Sequence, residues 1–203
     1  MLVIRFFGTP AISHTDQALT ALTRSRILIS LFAFLVMHCE RPHARSVLAA
    51  LFWPDIPEAH ARRYLNTHLW RLRSILEQGH LSPAVYLLSD DETIQFSPRA
   101  PFWLDVAEFE AATQSVGQNT MWSHEAAQRL ESAVALYRAD FLEGIYDEWP
   151  LAHRERLRER YLLALETLVR AYRASERYTA ALRAAQQLAR VEPFAEEAHY
   201  QVV

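Results

Sequence analysis

Four arginines and no acidic residue lie between Arg62 and Arg73. The planar guanidinium group of arginine donates several hydrogen bonds, so it pairs with phosphate oxygens and with the O6 and N7 atoms of guanine. Four leucines of the same segment recur at spacings of four, three and four, namely Leu65, Leu69, Leu72 and Leu76. That spacing predicts one apolar helix face. A helix with an apolar inner face and an arginine-rich outer face fits the major groove of DNA.

The polar and aromatic residues of this predicted helix lie away from the leucines. They are Arg62, Arg63, Asn66, Thr67, Trp70 and Arg73, with Arg71 at the edge. A solvated surface helix has the same pattern, so the segment alone leaves DNA binding and plain solvent exposure equally open. Its place as the third helix before a hairpin favours DNA binding, because a winged helix carries its recognition element there.

The first half of the chain alternates strand and helix signals. Short β-rich runs predict a strand at residues 2–7, candidate partners at 11–12 and 19–22, and a hairpin at 85–89 and 93–96. Apolar periodicity and proline stops predict helices at 24–39, 44–52 and 58–77. A small sheet, three helices and a hairpin in this order predict a winged helix-turn-helix domain over residues 1–97.

A segment with two prolines, residues 97–102, marks the predicted boundary with a second domain at 102–203. Periodicity in that domain predicts helices at 106–114, 124–137, 151–175 and 178–191, and a further start at Phe194. Its last part fits the tetratricopeptide pattern of about 34 residues, at Leu168, Tyr172, Tyr178, Ala181, Leu188 and Pro193. The fold class is therefore mainly α with an α+β N-terminal part: a winged helix-turn-helix domain followed by an all-α, tetratricopeptide-like helical domain. Because the last predicted helix breaks off at Val203, we expect a longer native chain.

The sequence offers no motif for catalysis or for a cofactor. Its four glycines are never adjacent, whereas phosphate-cradling loops need several glycines close together. No serine lies within a Gly-x-Ser-x-Gly motif. His38, Cys39 and His43 are a weak candidate zinc set, because two of them are adjacent and Pro42 interrupts the spacing. We therefore expect no enzyme activity, no cofactor and no metal.

Cysteine content and hydropathy indicate the compartment. The single Cys39 allows no internal disulfide, which fits a reducing environment. The longest apolar run, from Ile27 to Met37, is interrupted only by Ser30. It is far shorter than the roughly 20 residues needed to cross a bilayer. We expect a cytoplasmic protein without a membrane partner.

The charge of the chain is divided unevenly between its halves. All 21 basic residues are arginine, and the formal net charge is −3. Residues 1–100 hold 10 arginines and 8 acidic residues, which gives +2, whereas residues 101–203 hold 11 and 16, which gives −5. A polyanion would therefore be met by the first half and repelled by the second.

Four segments resemble the Streptomyces antibiotic regulatory protein type of bacterial regulator. Residues 51–76, LFWPDIPEAHARRYLNTHLWRLRSIL, are similar to its segment leading into the recognition helix. Residues 102–112, FWLDVAEFEAA, resemble the start of its bacterial transcriptional activator domain. The opening LVIRFFGTPAI and the run YLLALETLVRAYRASERYTAALRAAQQLARVEPF fit the same plan. The four segments occur in the order of the family and span nearly the whole chain.

The resemblance implies a winged helix of the response-regulator type followed by an activator domain. Such proteins bind direct repeats in double-stranded DNA near promoters, as side-by-side dimers, and recruit RNA polymerase. The family positions that contact phosphates and bases correspond to Arg62, Arg63, Asn66, Thr67, His68, Trp70, Arg71 and Arg73. The loop that faces polymerase corresponds to Trp53, Pro54, Asp55, Ile56, Pro57 and Glu58.

Two features depart from the family pattern, and the first of them, together with the net charge of −3, supports an alternative. The hairpin tip is Asp90-Asp91-Glu92 where the family often has a basic residue, and like charge opposes its contact with phosphate. Trp70 stands where a polar or basic residue is common. The alternative function is a protein-interaction scaffold, or the regulatory head of a larger ATPase-containing regulator, with weak or lost DNA binding.

Overall fold

The computed structural model describes residues 1–114 and 124–191, which divide into two units. Unit 1 comprises Met1–Phe6, Pro10–Leu104 and Gly144–Asp147. Unit 2 comprises Phe7–Thr9, Asp105–Glu143 and the residues from Glu148 onward, within the described ranges. Every helix in those ranges is too short or too polar to cross a bilayer.

Unit 1 combines strands and helices, whereas unit 2 is helical. The strands of unit 1 are β1 (Leu2–Arg5), β2 (Ala11–His14), β3 (Gln17–Ala18), β4 (His43–Ala44), β5 (Leu87–Ser89), β6 (Thr93–Phe96) and β7 (Phe102–Leu104). Its helices are α1 (Thr20–Thr23), α2 (Arg26–Met37), α3 (Arg45–Phe52), α4 (Glu58–Gln78) and α5 (Pro83–Tyr86). The helices of unit 2 are α6 (Asp105–Thr113), α7 (His124–Val134), α8 (Trp149–Ala174) and α9 (Tyr178–Val191).

Unit 1 contains two small sheets. The first has the order β3-β2-β1-β7, in which β1 runs antiparallel to β2 and parallel to β7. The alternation of β1 places Leu2 and Ile4 in the core, as a period of two requires for a sheet covered on one face. The second sheet has the order β4-β6-β5 and forms the wing, with an antiparallel β5–β6 hairpin.

Helix α2 is apolar almost all round and lies in the centre of unit 1. Its one polar interruption, Ser30, is fully buried. The Ser30 hydroxyl donates a hydrogen bond to the carboxylate of Asp147, which also accepts a bond from Arg26 at 3.2 Å. A partner 117 residues away therefore satisfies a polar group that burial would otherwise penalise.

Helix α4 packs its leucine stripe into the same core. Leu65, Leu69, Leu72 and Leu76 are each fully buried. The helix ends at Gly79, whose backbone approaches Leu19 so closely that an added Cβ would lie 2.6 Å from that side chain. A residue without a side chain at this position allows the close packing at the end of α4.

Unit 2 is built around a helical hairpin and an aromatic cluster. Helices α8 and α9 pack against each other, and the small residue Ala181 of α9 is buried. The ring of Tyr137 stacks on that of Tyr161, with 4.1 Å between ring centroids. Phe7 packs its ring edge-on against Phe109 at 5.2 Å.

The predicted fold class is confirmed: a winged helix-turn-helix part precedes a helical part. Three local predictions are wrong. Residues 19–22 do not form a strand, since α1 begins at Thr20. The first hairpin strand begins at Leu87 instead of residue 85, because Pro83 starts the short helix α5. Residues 102–104, expected to open the helical domain, form a strand that pairs with β1.

Four of the six residues of the tetratricopeptide-like pattern are buried. The buried positions of the pattern are Leu168, Tyr172, Ala181 and Leu188. Tyr178 is instead 66% exposed. Pro193, and the helix start predicted at Phe194, lie outside the described residues.

We predict that Ser30→Ala lowers the thermal stability of the protein. The substitution removes the hydroxyl donor of Asp147 inside unit 1, and a hydrogen bond to a charged group is worth enough to lower Tm by roughly 5 °C. Differential scanning calorimetry measures the change. The matched control is Ser46→Ala on the exposed side of α3, and equal Tm values for the two variants would contradict the prediction.

Candidate nucleic-acid interface

The buried stripe of α4 determines which side of the helix faces solvent. Successive helix residues are about 100° apart, so the stripe occupies one side and a separate arc remains. Five predicted site residues share that arc, within about 100° of each other: Arg62, Arg63, Asn66, Trp70 and Arg73. We call these five residues the basic face.

The basic face is largely open to solvent. Arg62, Arg63, Asn66 and Trp70 are exposed, Trp70 with 66% of its surface accessible, and Arg73 is half-buried. Arg62 is paired only loosely with Glu58, at 4.0 Å, and both side chains are exposed. Such a pair contributes little to stability, so the guanidinium can exchange this partner for a phosphate.

The other predicted site residues of α4 lie elsewhere on the helix. Arg71 is exposed and stands about half a turn around the helix from Arg62. The Thr67 hydroxyl donates to the carbonyl of Arg63 at 3.0 Å. His68 lies on the flank away from the basic face, 5.2 Å from the ring of Trp53. The structure therefore separates His68 and Arg71 from the five residues of the basic face.

Arg45, which the sequence did not single out, joins the basic face to the wing. Its Nη1 donates to Oδ1 of Asn66 at 2.8 Å, and its Nε donates to the carbonyl of Asp90 at 3.1 Å. Arg73 makes a second link, because its Nη2 donates to the hydroxyl of Ser89 at 2.6 Å. Two residues of the basic face are thus held by bonds to neighbouring elements of unit 1.

The acidic turn at the tip of the wing, residues 90–92, is held together by the carboxylate of Asp90. Asp90 Oδ1 accepts the backbone N–H groups of Glu92 and Thr93, at 2.8 and 2.6 Å. Its Oδ2 accepts the Thr93 hydroxyl at 2.9 Å. These bonds lower the pKa of Asp90 below its ordinary value, and the nearby Arg45 contributes in the same direction. Asp90 is therefore a structural residue of the turn.

The predicted polymerase-facing loop lies beside a shallow groove. Trp53 is half-buried and packs against His68, and the N–H of Ile56 donates to the carbonyl of Trp53 at 3.2 Å. The remaining loop residues Pro54, Asp55, Pro57 and Glu58 are exposed. The groove measures about 410 Å³ and is lined by Val47, Ala50, Trp53, Ile56 and Ala61, among others.

The two histidines of the weak zinc set are engaged in other bonds. His38 Nδ1 bonds the carbonyl of Phe34 at 2.9 Å, and His43 Nε2 bonds the carbonyl of His38 at 2.8 Å. Burial lowers the pKa of His38 and raises that of the Cys39 thiol. Across the described parts of the chain, no three residues of His, Cys, Asp or Glu lie close enough together to hold a metal ion.

Comparison with known proteins identifies the second half of the chain. Residues 104–203 match the family model of the bacterial transcriptional activator domain. The second half of this chain is a bacterial transcriptional activator domain. No curated protein matches the chain in sequence.

A solved structure shares the fold of this chain. It is that of Mycobacterium tuberculosis EmbR in complex with a low-affinity phosphopeptide, with 20% sequence identity and a TM-score of 0.78. The similarity covers 99% of this chain and 53% of the EmbR chain, so this chain spans about half the length of that protein. At this identity the comparison shows the fold alone.

We predict that the wing turn keeps its Asp90 bonds at pH values below the ordinary pKa of an aspartate. Because the folded pKa is lowered, the stabilisation is present above the ordinary value of 3.8 and is lost only as pH falls through the lowered pKa. In an NMR titration, the backbone N–H signals of Glu92 and Thr93 should shift together with a midpoint below 3.8.

Two variants check that assignment. Asp90→Asn should abolish the shared titration, whereas the neighbouring substitution Asp91→Asn should leave it in place. A midpoint at or above the ordinary aspartate value, or an unchanged titration in Asp90→Asn, would show that Asp90 does not hold the turn.

Proposed function

We propose that this chain is a transcriptional regulator, a sequence-specific activator that binds double-stranded DNA through α4. The observation that supports this most strongly is the basic face, which is exposed on a helix whose leucine stripe is anchored in the core of a winged helix-turn-helix fold. In the proposed organisation residues 1–97 bind DNA and residues 102–203 form the activator domain. The proposal includes a cytoplasmic location and no catalytic activity.

The proposed docking places α4 along the major groove. A helix of 10–12 Å diameter fits a groove about 12 Å wide. Arg62 and Arg71 lie on opposite edges of α4, so each would face the phosphate backbone of a different strand. Asn66 and Trp70 lie between the arginines of the basic face and would meet base edges. The apolar ring of Trp70 suits contact with a thymine methyl group.

The wing contributes less to DNA affinity in this proposal. Its tip carries Asp91 and Glu92, both exposed, and their negative charge opposes close approach to phosphates. Affinity would therefore come mainly from the arginines of α4, which release counterions when they neutralise phosphates.

The activator role rests on the family and on the loop from Trp53 to Glu58. We propose that this exposed loop, with the groove beside it, contacts RNA polymerase while dimers of the regulator occupy direct repeats. Transcription in vitro from a template with the selected repeat tests recruitment. Activation without the repeat, or its absence on a bound template, would contradict this part of the proposal.

Selection from a random duplex library tests DNA binding directly. Wild-type protein should enrich a repeated motif, and the triple variant Arg62→Ala, Arg63→Ala, Arg71→Ala should not. A second triple variant, Arg129→Ala, Arg173→Ala, Arg183→Ala, removes the same charge from exposed positions of unit 2. It should enrich the wild-type motif, because it leaves α4 intact.

One observation favours the alternative of a protein-interaction scaffold or regulatory head with weak or lost DNA binding. Asn66 and Arg73 already bond within unit 1, and the wing tip is acidic. If that alternative is correct, the library yields no motif, and duplex binding at low salt is equally weak in wild type and in both triple variants.

We predict that Arg63→Ala makes DNA binding less sensitive to salt. Loss of one phosphate contact should reduce the slope of log K against log salt by about 0.9. Fluorescence anisotropy over a salt series measures the slope. Arg129→Ala is the matched control, because Arg129 is exposed on α7 and pairs with Glu125. Equal slopes for the two variants would exclude Arg63 from the phosphate contacts.

A further inference from the structure

Arg45 occupies a rigid position between the wing and α4. Its backbone N–H donates to the carbonyl of Glu92 at 2.8 Å, and the preceding residue Ala44 pairs with Thr93 in the wing sheet. Its side chain then extends to Asn66 of the basic face, and its Nε holds the carbonyl of Asp90. The backbone and the guanidinium group are therefore both fixed by the same turn.

Because arginine only donates hydrogen bonds, it determines which atom of the Asn66 side-chain amide faces it. A guanidinium group has five N–H donors and no acceptor. The atom that faces Arg45 Nη1 at 2.8 Å must therefore be the amide oxygen of Asn66. The amide nitrogen then points away from Arg45, on an exposed residue of the basic face.

An asparagine amide held in this direction recognises a different base from an asparagine amide that is free to rotate. A free asparagine reads adenine with both atoms, since its oxygen accepts from N6 and its nitrogen donates to N7. The bond from Arg45 occupies one lone pair of the oxygen and fixes the oxygen toward Arg45, so the amide turns its two N–H donors outward. Guanine offers two neighbouring acceptors in the major groove, O6 and N7, and suits such a donor.

We propose that Arg45 is a positioning residue that makes Asn66 select guanine instead of adenine. The inference rests on the proposed function, because it requires α4 to lie in the major groove. Arg45 need not touch a base itself: it acts through the Asn66 amide, and the Asp90 turn holds it in place.

Library selection with single and double variants tests the proposal. Asn66→Ala first identifies the base position that Asn66 reads, as the position whose preference disappears. At that position Arg45→Met should raise the ratio of adenine to guanine by about tenfold, because the released amide regains the two-atom contact with adenine. The double variant Arg45→Met, Asn66→Ala should match Asn66→Ala, since Arg45 acts only through Asn66.

Two controls distinguish the loss of the Arg45–Asn66 bond from a general loss of positive charge and from misfolding of the variant. Arg41→Met removes a charge from an exposed position nearby and should keep the wild-type motif. The Asn66 side-chain amide signals should shift in the NMR spectrum of Arg45→Met while the core signals stay in place. If that variant does not fold, Arg45→Lys replaces it, because one ammonium group lacks the planar fork that holds Asp90 and Asn66 in fixed directions.

The outcomes distinguish this inference from the proposed function. Suppose that Asn66→Ala changes the wild-type motif, whereas a folded Arg45 variant leaves the motif unchanged. That result overturns the role of Arg45 but leaves the proposal of DNA binding intact. A shift toward adenine that persists in the double variant also overturns it, since Arg45 would then act without Asn66. Absence of any wild-type motif overturns the proposed function, and this inference with it.

Discussion

Burial of the α4 leucines is the interaction on which the candidate interface depends. Each fully buried leucine contributes about 1.5–3 kcal/mol relative to an exposed one, and Leu65, Leu69, Leu72 and Leu76 lie on one stripe. Rotating α4 by half a turn would expose all four. The helix therefore has one favourable orientation about its axis, and that orientation turns the basic face outward.

Hydrogen bonds to the wing then determine the side-chain geometry on that outward face. Arg45 holds Asn66, and Ser89 holds Arg73. The acidic turn, which the sequence presents as an obstacle to phosphate contact, also supports the interface, because the Asp90 carbonyl anchors Arg45. A negatively charged wing tip is thus compatible with DNA binding if its role is to position residues of α4.

Charge divides along the chain in a way that suits the proposed function. Residues 1–100 carry a formal charge of +2 and residues 101–203 a charge of −5. In unit 2, Arg129 and Arg156 pair with Glu125 and Glu110, whereas most arginines of the basic face have no such strong partner among the described residues. Approach to a polyanion is therefore favoured through unit 1.

Local periodicity was enough to determine most helices and the face of α4. The predicted helix at 58–77 matches Glu58–Gln78, and the bounds of Tyr178–Val191 agree at both ends, because a repeat of 3.6 residues is read along the chain itself. The exposure of Trp70 followed in the same way. The DNA contacts themselves stay predictions.

Only the tertiary structure decided which distant residues meet. The pairing of β7 with β1 joins residues about one hundred positions apart. The hydrogen bond from Ser30 to Asp147 joins residues 117 positions apart. The bond from Arg45 to Asn66 spans 21 residues and two helices. A single sequence carries no periodic signal for such pairs, because their distance depends on the path of the chain between them. The residues available to an interface could be read from the sequence, whereas the direction of the Asn66 amide required the fold.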